Sequence, residues 1–229
     1  MTRGVPVGCS GGEGLVVLIS TVRSSDNSGG IPAGTWSKVF TGDYINLVGD
    51  GGSGGTQQVW YAQLATGTST ITISQRAPEH TRYFVLELAG MSGALGNSSF
   101  VVDETNQTSS TSGTITTNGA ALLVGGVMVN ALDLNPPYEV TTPAGWTRRY
   151  GVEPAAGVYR PRVEGSTRVV SVPTSLAYTP SFTDQEKSST WIVSFVGSGG
   201  AISVIAVTKA YFDNAAGQTV IITLNQPIT

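Results

Sequence analysis

From Gln57 to Gly90 the chain reads QQVWYAQLATGTSTITISQRAPEHTRYFVLELAG, and its apolar positions recur with a period of two. In Thr70-Ile71-Thr72-Ile73-Ser74 the two isoleucines fall on one face and the hydroxyl side chains on the other, the pattern of a half-buried strand. In Phe84-Val85-Leu86-Glu87-Leu88 the alternation groups Phe84, Leu86 and Leu88 and turns Glu87 away. Between them, Ala65-Thr66-Gly67-Thr68 has turn chemistry, with Gly67 free to take positive φ. Three successive strands are therefore expected in this stretch.

Elsewhere the pattern is similar. Leu15 to Val22 and Ala121 to Val129 are nearly continuous apolar runs, as in strands covered on both faces. Thr35 to Phe40, Val158 to Val163, Thr167 to Val172 and Thr190 to Val196 complete the expected strands, with Pro161 demoting its segment to an edge or a bulge. Met91 to Gly119, rich in Ser, Thr and Asn, is expected to be a polar bridge with one short strand near Phe100-Val101-Val102. Gly49 to Gly55 is too rich in glycine to form an element. No segment of ten residues shows the 3.6-residue period of a helix.

The two halves of the chain echo one another. Leu15 to Leu18 matches Leu122 to Gly125, and Pro32-Ala33-Gly34-Thr35-Trp36 matches Pro143-Ala144-Gly145-Trp146. Gly67 to Ile71 matches Gly165 to Val169, and Tyr83 to Gly90 matches Thr190 to Gly197. Four matches in unbroken order indicate an internal repeat. Either two small sandwiches stand in tandem, or two four-strand halves interlock into one jelly roll. Four strands alone leave a sheet face uncovered, which favours one shared domain. The expected fold is thus an all-β, antiparallel, jelly-roll-like sandwich over 15–197, after an extended N-terminal segment over 1–14. The shared core is expected to unite Ile71, Ile73, Phe84, Leu86 and Leu88 with Leu122, Val124, Val169 and Phe195. Residues 198–229 lie outside the repeat and are expected to form a two-strand C-terminal arm.

Composition narrows the function. Charged residues make up 12% of the 229 and the net charge is −3, which argues against a nucleic-acid partner, since that requires a basic stripe. No run approaches the length of an apolar membrane span, so no membrane insertion is expected. The residues before Leu15 lack the charged region and cleavage pattern of a signal peptide, so synthesis in a reducing cytoplasm is expected. Cys9 is the only cysteine and His80 the only histidine, which leaves no ligand set for zinc and no base with an orienting partner. No metal and no cofactor is expected. Gly51-Gly52-Ser53-Gly54-Gly55 spells a nucleophile elbow, but a strand rather than a helix follows it, so the match is discounted. Asp43, Asp50, Asp103 and Glu104 lack calcium-loop spacing. Asn97-Ser98-Ser99 and Asn106-Gln107-Thr108 match glycosylation sequons.

The aromatic residues offer the remaining candidate chemistry, because exposed rings stack on the apolar faces of sugars. Trp36, Trp146 and Trp191 occupy repeat-equivalent strand positions and are assigned to the core. Tyr44, Tyr138 and Tyr178 lie in or beside loops, and Trp60-Tyr61 is an adjacent pair of which one must face outward. These five are the candidates for a sugar or partner surface.

The order Gly34-Thr35-Trp36-Ser37-Lys38-Val39, Val59-Trp60-Tyr61-Ala62, Gly67 to Ile73, Phe84 to Gly90 and Leu123 to Val127 resembles a β-sandwich module of tailed-bacteriophage structural proteins. The resemblance spans Leu15 to Gly197, and its motifs are structural rather than catalytic. It implies a virion component without enzymatic activity, a minor tail, fibre or head-decoration protein, whose partners are copies of itself and other virion proteins. The alternative is a carbohydrate-binding module that attaches the particle to a host cell-wall glycan; a hydrolase is a distant third.

The arm carries Ile202, Val204, Ile205, Val207, Val220, Ile221, Ile222 and Leu224 behind the hinge Gly197-Ser198-Gly199-Gly200. This much apolar surface needs a cover. It is expected either to fold back on its own sandwich or, the favoured option, to add strands to a neighbouring subunit.

Overall fold

The computed structural model describes residues 15–22, 31–32, 34–40, 44–45, 55–64, 70–74, 81–129, 139–152, 162–212 and 219–223. All regular structure among them is β-strand, and every pairing between strands is antiparallel.

Two six-stranded sheets dominate. In the first, β1 (Leu15–Val22) lies between β5 (Gly55–Gln63) and β7 (Thr81–Ala89); β3 (Ser37–Lys38) and β4 (Tyr44–Ile45) flank β5, and β16 (Ser203–Phe212) flanks β7. In the second, β10 (Ala121–Val129) lies between β13 (Arg162–Val170) and β15 (Ser181–Gly197). There β12 (Thr147–Val152) flanks β13, while β8 (Met91–Ser109) and β11 (Val140–Thr141) pair with β15. Two small sheets complete the molecule: β17 (Thr219–Thr223), β6 (Thr70–Ser74) and β2 (Ile31–Pro32) in one, β14 (Ser175–Leu176) and β9 (Ile115–Thr116) in the other.

The repeat holds at the level of individual residue pairs. Leu15 faces Leu88 as Leu122 faces Phe195, both members of the pair displaced by 107 positions (122 − 15 and 195 − 88). Ser37 faces Tyr61, and Lys38 faces Trp60, as Thr147 faces Thr167 and Arg148 faces Ser166. The equivalent of β13 is therefore β5, which occupies the same place beside the central strand. The match of Gly67–Ile71 to Gly165–Val169 is corrected accordingly: similar Gly-Thr chemistry had aligned β13 with β6, which sits in a different sheet.

The strands after β7 and β15 are exchanged between the halves. β8 follows β7 in sequence but pairs with β15, while β16 follows β15 but pairs with β7. Likewise β9 joins β14 of the second half, and β17 joins β6 of the first. Even the irregularities correspond. The bulge of β8 between Leu95 and Ser98, opposite Phe195 and Val193, recurs in β16 between Val204 and Val207, opposite Leu88 and Leu86. The two crossovers meet at Gly90 and Gly197. The Ser198 N–H donates to Gly90 O at 2.8 Å, and a side chain at Gly90 would collide with the Ala201 carbonyl.

Two expectations are corrected here. Met91 to Gly119 is not a bridge with one short strand but holds β8, a 19-residue strand, and β9. Residues after Gly197 do not stand outside the repeat; β16 and β17 are the second copy of β8 and β9, and they pair within the same chain.

The large sheets pack face to face over one core shared by both halves. It unites Leu15, Val17, Ile19, Val59, Phe84, Leu86 and Leu88 with Leu122, Val124, Met128, Tyr150, Trp191, Val193 and Phe195. At its centre Phe84 stacks on Tyr150 at 4.1 Å between ring centroids, and the repeat-equivalent pair, Trp191 and Phe40, meets edge-on at 5.7 Å. The second half accommodates its larger rings by losing side chains beneath them. Trp191, Gly126, Gly165 and Tyr150 form one row across four strands, where the first half has Phe84, Ile19, Val59 and Phe40. A Cβ on Gly126 or Gly165 would overlap the Trp191 or Tyr150 ring.

The outer faces are covered too. Ile71, Ile73, Tyr83, Val85 and Ile222 form a separate cluster under the three-stranded sheet. Leu123, Val127, Val129, Trp146, Tyr178, Phe182 and Ile192 form another on the far side of β10. All nine residues of β10 are buried, which explains its unbroken apolar run. Ile71 and Ile73 are thus buried, but apart from the shared core. Val169, expected inside, lies on the same face as Val163 and Gly165 but near the end of β13, and it is 51% exposed.

Candidate functional site

The arm residues have defined positions. Ile202, Val204 and Val207 pack half-buried against the shared core, Ile205 is half-buried, and Ile222 is buried over Ile71 and Ile73. Val220 and Ile221 face Ile73 and Thr72 along the β17–β6 ladder. Leu224 lies outside the described residues. The arm covers the edges of β7 and β6 in its own chain, the intramolecular option.

The candidate aromatic surface does not assemble. Tyr178, expected at a loop surface, is fully buried, with its ring against Gly125 and edge-on to Trp146 at 4.8 Å. Its hydroxyl donates to Ser166 Oγ at 3.4 Å, and its backbone N–H donates to Ser112 Oγ at 3.0 Å. Burial pushes the Tyr178 hydroxyl pKa well up, the Ser166 contact opposing it in part. Trp60 and Tyr61 do point to opposite faces, but each is half-buried against a core: Trp60 on the outer cluster, Tyr61 edge-on to Phe195 at 5.8 Å. Trp60 Nε1 donates to Gln58 Oε1 at 3.2 Å, and the Lys38 ammonium lies 5.5 Å from its ring centroid. Tyr44 pairs with Thr56 in β4, and Tyr138 lies outside the described residues. Trp36, Trp146 and Trp191 all pack in hydrophobic clusters.

Two carboxylates are buried among the described residues, Glu87 and Glu164. Glu164 is 1% exposed; it pairs with Arg148 at 3.1 Å and accepts the Thr142 hydroxyl proton at 2.8 Å. The same cross-strand site in the first half holds Lys38 and Gln58, so a basic residue beside a buried acceptor recurs in both copies. The arrangement ties the sheet edge to the 142–146 turn and leaves the carboxylate without access for a substrate. Among the described residues no three His, Cys, Asp or Glu side chains converge to hold a metal. Cys9, His80, Asp43, Asp50 and Gly51 to Gly54 lie outside the described residues. Asp103 accepts from the Thr105 backbone N–H at 3.0 Å and from its hydroxyl at 2.6 Å, closing a local turn.

The site that composition did not suggest is a cleft of about 470 Å³ beside the bulge of β8. Leu95, Gly96 and Asn97 form one wall, the 116–121 turn the other, and Ser194, Val196 and Gly197 the floor. Asn97 Nδ2 donates to Thr116 O at 2.6 Å, bridging the walls. The Asn97 N–H donates to Ser194 Oγ at 2.8 Å, and that hydroxyl donates back to Asn97 O at 3.0 Å. Gly96 leaves room for the Ser194 hydroxyl. No lining residue is ionisable. In sequence this region is a Ser/Thr/Asn-rich run with no apolar period, so only the three-dimensional bulge brings it together. The chain matches no known family model, no curated protein and no solved structure.

Proposed function

We propose that this chain is a structural component of a bacteriophage virion, working by assembly and surface contacts with copies of itself and other virion proteins rather than by catalysis. The reciprocal strand exchange carries the proposal. Each half completes its sheets with strands from the other, so neither half can open without unpairing both crossovers. A fold that opens only by breaking both crossovers together is suited to a particle that persists outside a cell, where operational stability is set by the unfolding barrier. The exposed side of β8, set with Ser, Asn, Asp, Glu and Thr, offers a hydrated contact surface. The resemblance to tailed-phage sandwich modules supports the same role. The test is mass spectrometry of purified phage particles combined with immunogold labelling of intact ones. Stoichiometric protein on the tail or head is expected; its absence from purified particles would overturn the proposal.

A further inference from the structure

The repeat shows how the residues beside the cleft differ from their counterparts. At the bulge of β16 the first half carries Ile205 and Ala206 opposite Glu87. At the equivalent bulge of β8 the second half carries Gly96 and Asn97 opposite Ser194. The backbone irregularity is the same, but the copy that lines the cleft lacks the large aliphatic side chain and the acid. Its volume falls within the range of small-ligand sites.

The lining selects the chemistry. With no ionisable group, the walls offer nothing to balance a ligand charge. Asn97 uses one amide hydrogen on Thr116 O, leaving its carboxamide oxygen without a protein partner. Asn118 is exposed on the opposite wall and makes no hydrogen bond among the described residues. A carboxamide both donates and accepts, as a sugar hydroxyl does, so two of them on facing walls suit a polyol. Leu95, Ala120 and the 39% exposed Val196 supply an apolar patch between the walls for C–H surface.

We infer that this cleft binds a neutral oligosaccharide, with Asn97 and Asn118 as its hydrogen-bonding residues. The inference is independent of the assembly role. A particle component can bind a glycan or not, and a glycan-binding chain need not be in a particle.

Isotope-labelled full-length protein would be titrated with N-acetylglucosamine, cellulose and maltose tetrasaccharides, with a sulfated tetrasaccharide as a charged control. At least one neutral probe is expected to give saturable shifts in the Asn97 and Asn118 side-chain amides and in the backbone amides of Leu95 to Asn97. Asn118→Ala removes no protein hydrogen bond and should preserve the rest of the spectrum while weakening binding about tenfold, the equivalent of one or two lost hydrogen bonds. Asn97→Ala should do the same, with its melting curve as the control for the lost Thr116 contact. The inference is overturned if no neutral probe perturbs these residues at millimolar concentration. It is also overturned if the shifts map elsewhere, if the sulfated probe alone binds, or if Asn118→Ala leaves affinity unchanged.

Discussion

Removing residues 201–229 tests whether the C-terminal strands belong to the core of their own chain. The deletion strips β16 from the edge of β7 and β17 from β6. It removes the three half-buried aliphatic side chains that pack on the shared core, Ile202, Val204 and Val207, and the buried Ile222. At 1.5–3 kcal/mol for each full burial, and half that for the first three, the loss is about 4–7.5 kcal/mol. That figure omits what the deletion uncovers: Ile71, Ile73, Tyr83 and Val85 lose their lid, and two strands lose a ladder of backbone hydrogen bonds. Against a typical total stability of about 5–15 kcal/mol, the truncated chain should lack a cooperative urea transition by circular dichroism and should elute as aggregate. Supplying 198–229 as a separate peptide should restore the transition, since the donated strands carry their own pairing information. A truncated monomer that melts cooperatively at the full-length midpoint would refute the intramolecular role and return the arm to a neighbouring subunit.

Gly126→Ala puts a Cβ within 2.8 Å of Trp191 Nε1 and should cost about 1–3 kcal/mol by overpacking. Combined with Trp191→Phe, it should cost less than the two changes added, and strict additivity in a double-mutant cycle would count against the compensating row. Arg148→Ala strands the buried Glu164 carboxylate and should lower stability by up to about 3 kcal/mol, Glu164→Gln by less; equal losses in urea titrations would contradict the asymmetry. Burial raises the hydroxyl pKa of Tyr83, Tyr150 and Tyr178 above the ordinary value. The fold therefore keeps protons that the unfolded chain gives up: stability is full below about pH 10 and falls above it, by about 1.4 kcal/mol per tyrosine for each pH unit. A urea midpoint that stays flat through this alkaline range would contradict it.

Much of the fold was legible because one face of most strands is apolar. Thr70 to Ser74 is β6 to the residue, and Leu15 to Val22 is β1. The repeat was legible where apolar periodicity marked it, in β1 and β10 or β7 and β15. It failed at β13, where Gly165 and Ser166 look like the turn before β6; those small residues are there to admit the Tyr150 ring and the Tyr178 hydroxyl. It failed again at β8 and β16, which share position and bulge but not composition. Both are edge strands: β16 spends its aliphatic side chains on the shared core, while β8 is mostly exposed and carries Ser, Gly and Asn. Tyr178 was misplaced because it follows a turn-rich segment that, once folded, covers the outer face of β10. The cleft had no linear signature at all, since its walls come from separate segments joined across a bulge.

The two copies diverge in a way that separates architecture from chemistry. Where the halves face each other, a change in one copy is answered within the same row. Larger rings at Trp191 and Tyr150 come with glycine at 126 and 165, so the space between the sheets stays filled. On the outer sheet faces, Lys38 with Gln58 and Arg148 with Glu164 keep a basic residue against a buried acceptor while its charge changes. At the bulge, by contrast, Ile205 and Glu87 on one side correspond to Gly96 and Ser194 on the other, and no neighbouring enlargement refills the space. Packing requires compensation, because an unfilled interior gap forfeits contacts on every wall. A gap that opens to solvent has no such requirement. Among the described residues, the uncompensated position is therefore one where folding leaves the residue choice open, and where a ligand can set it instead.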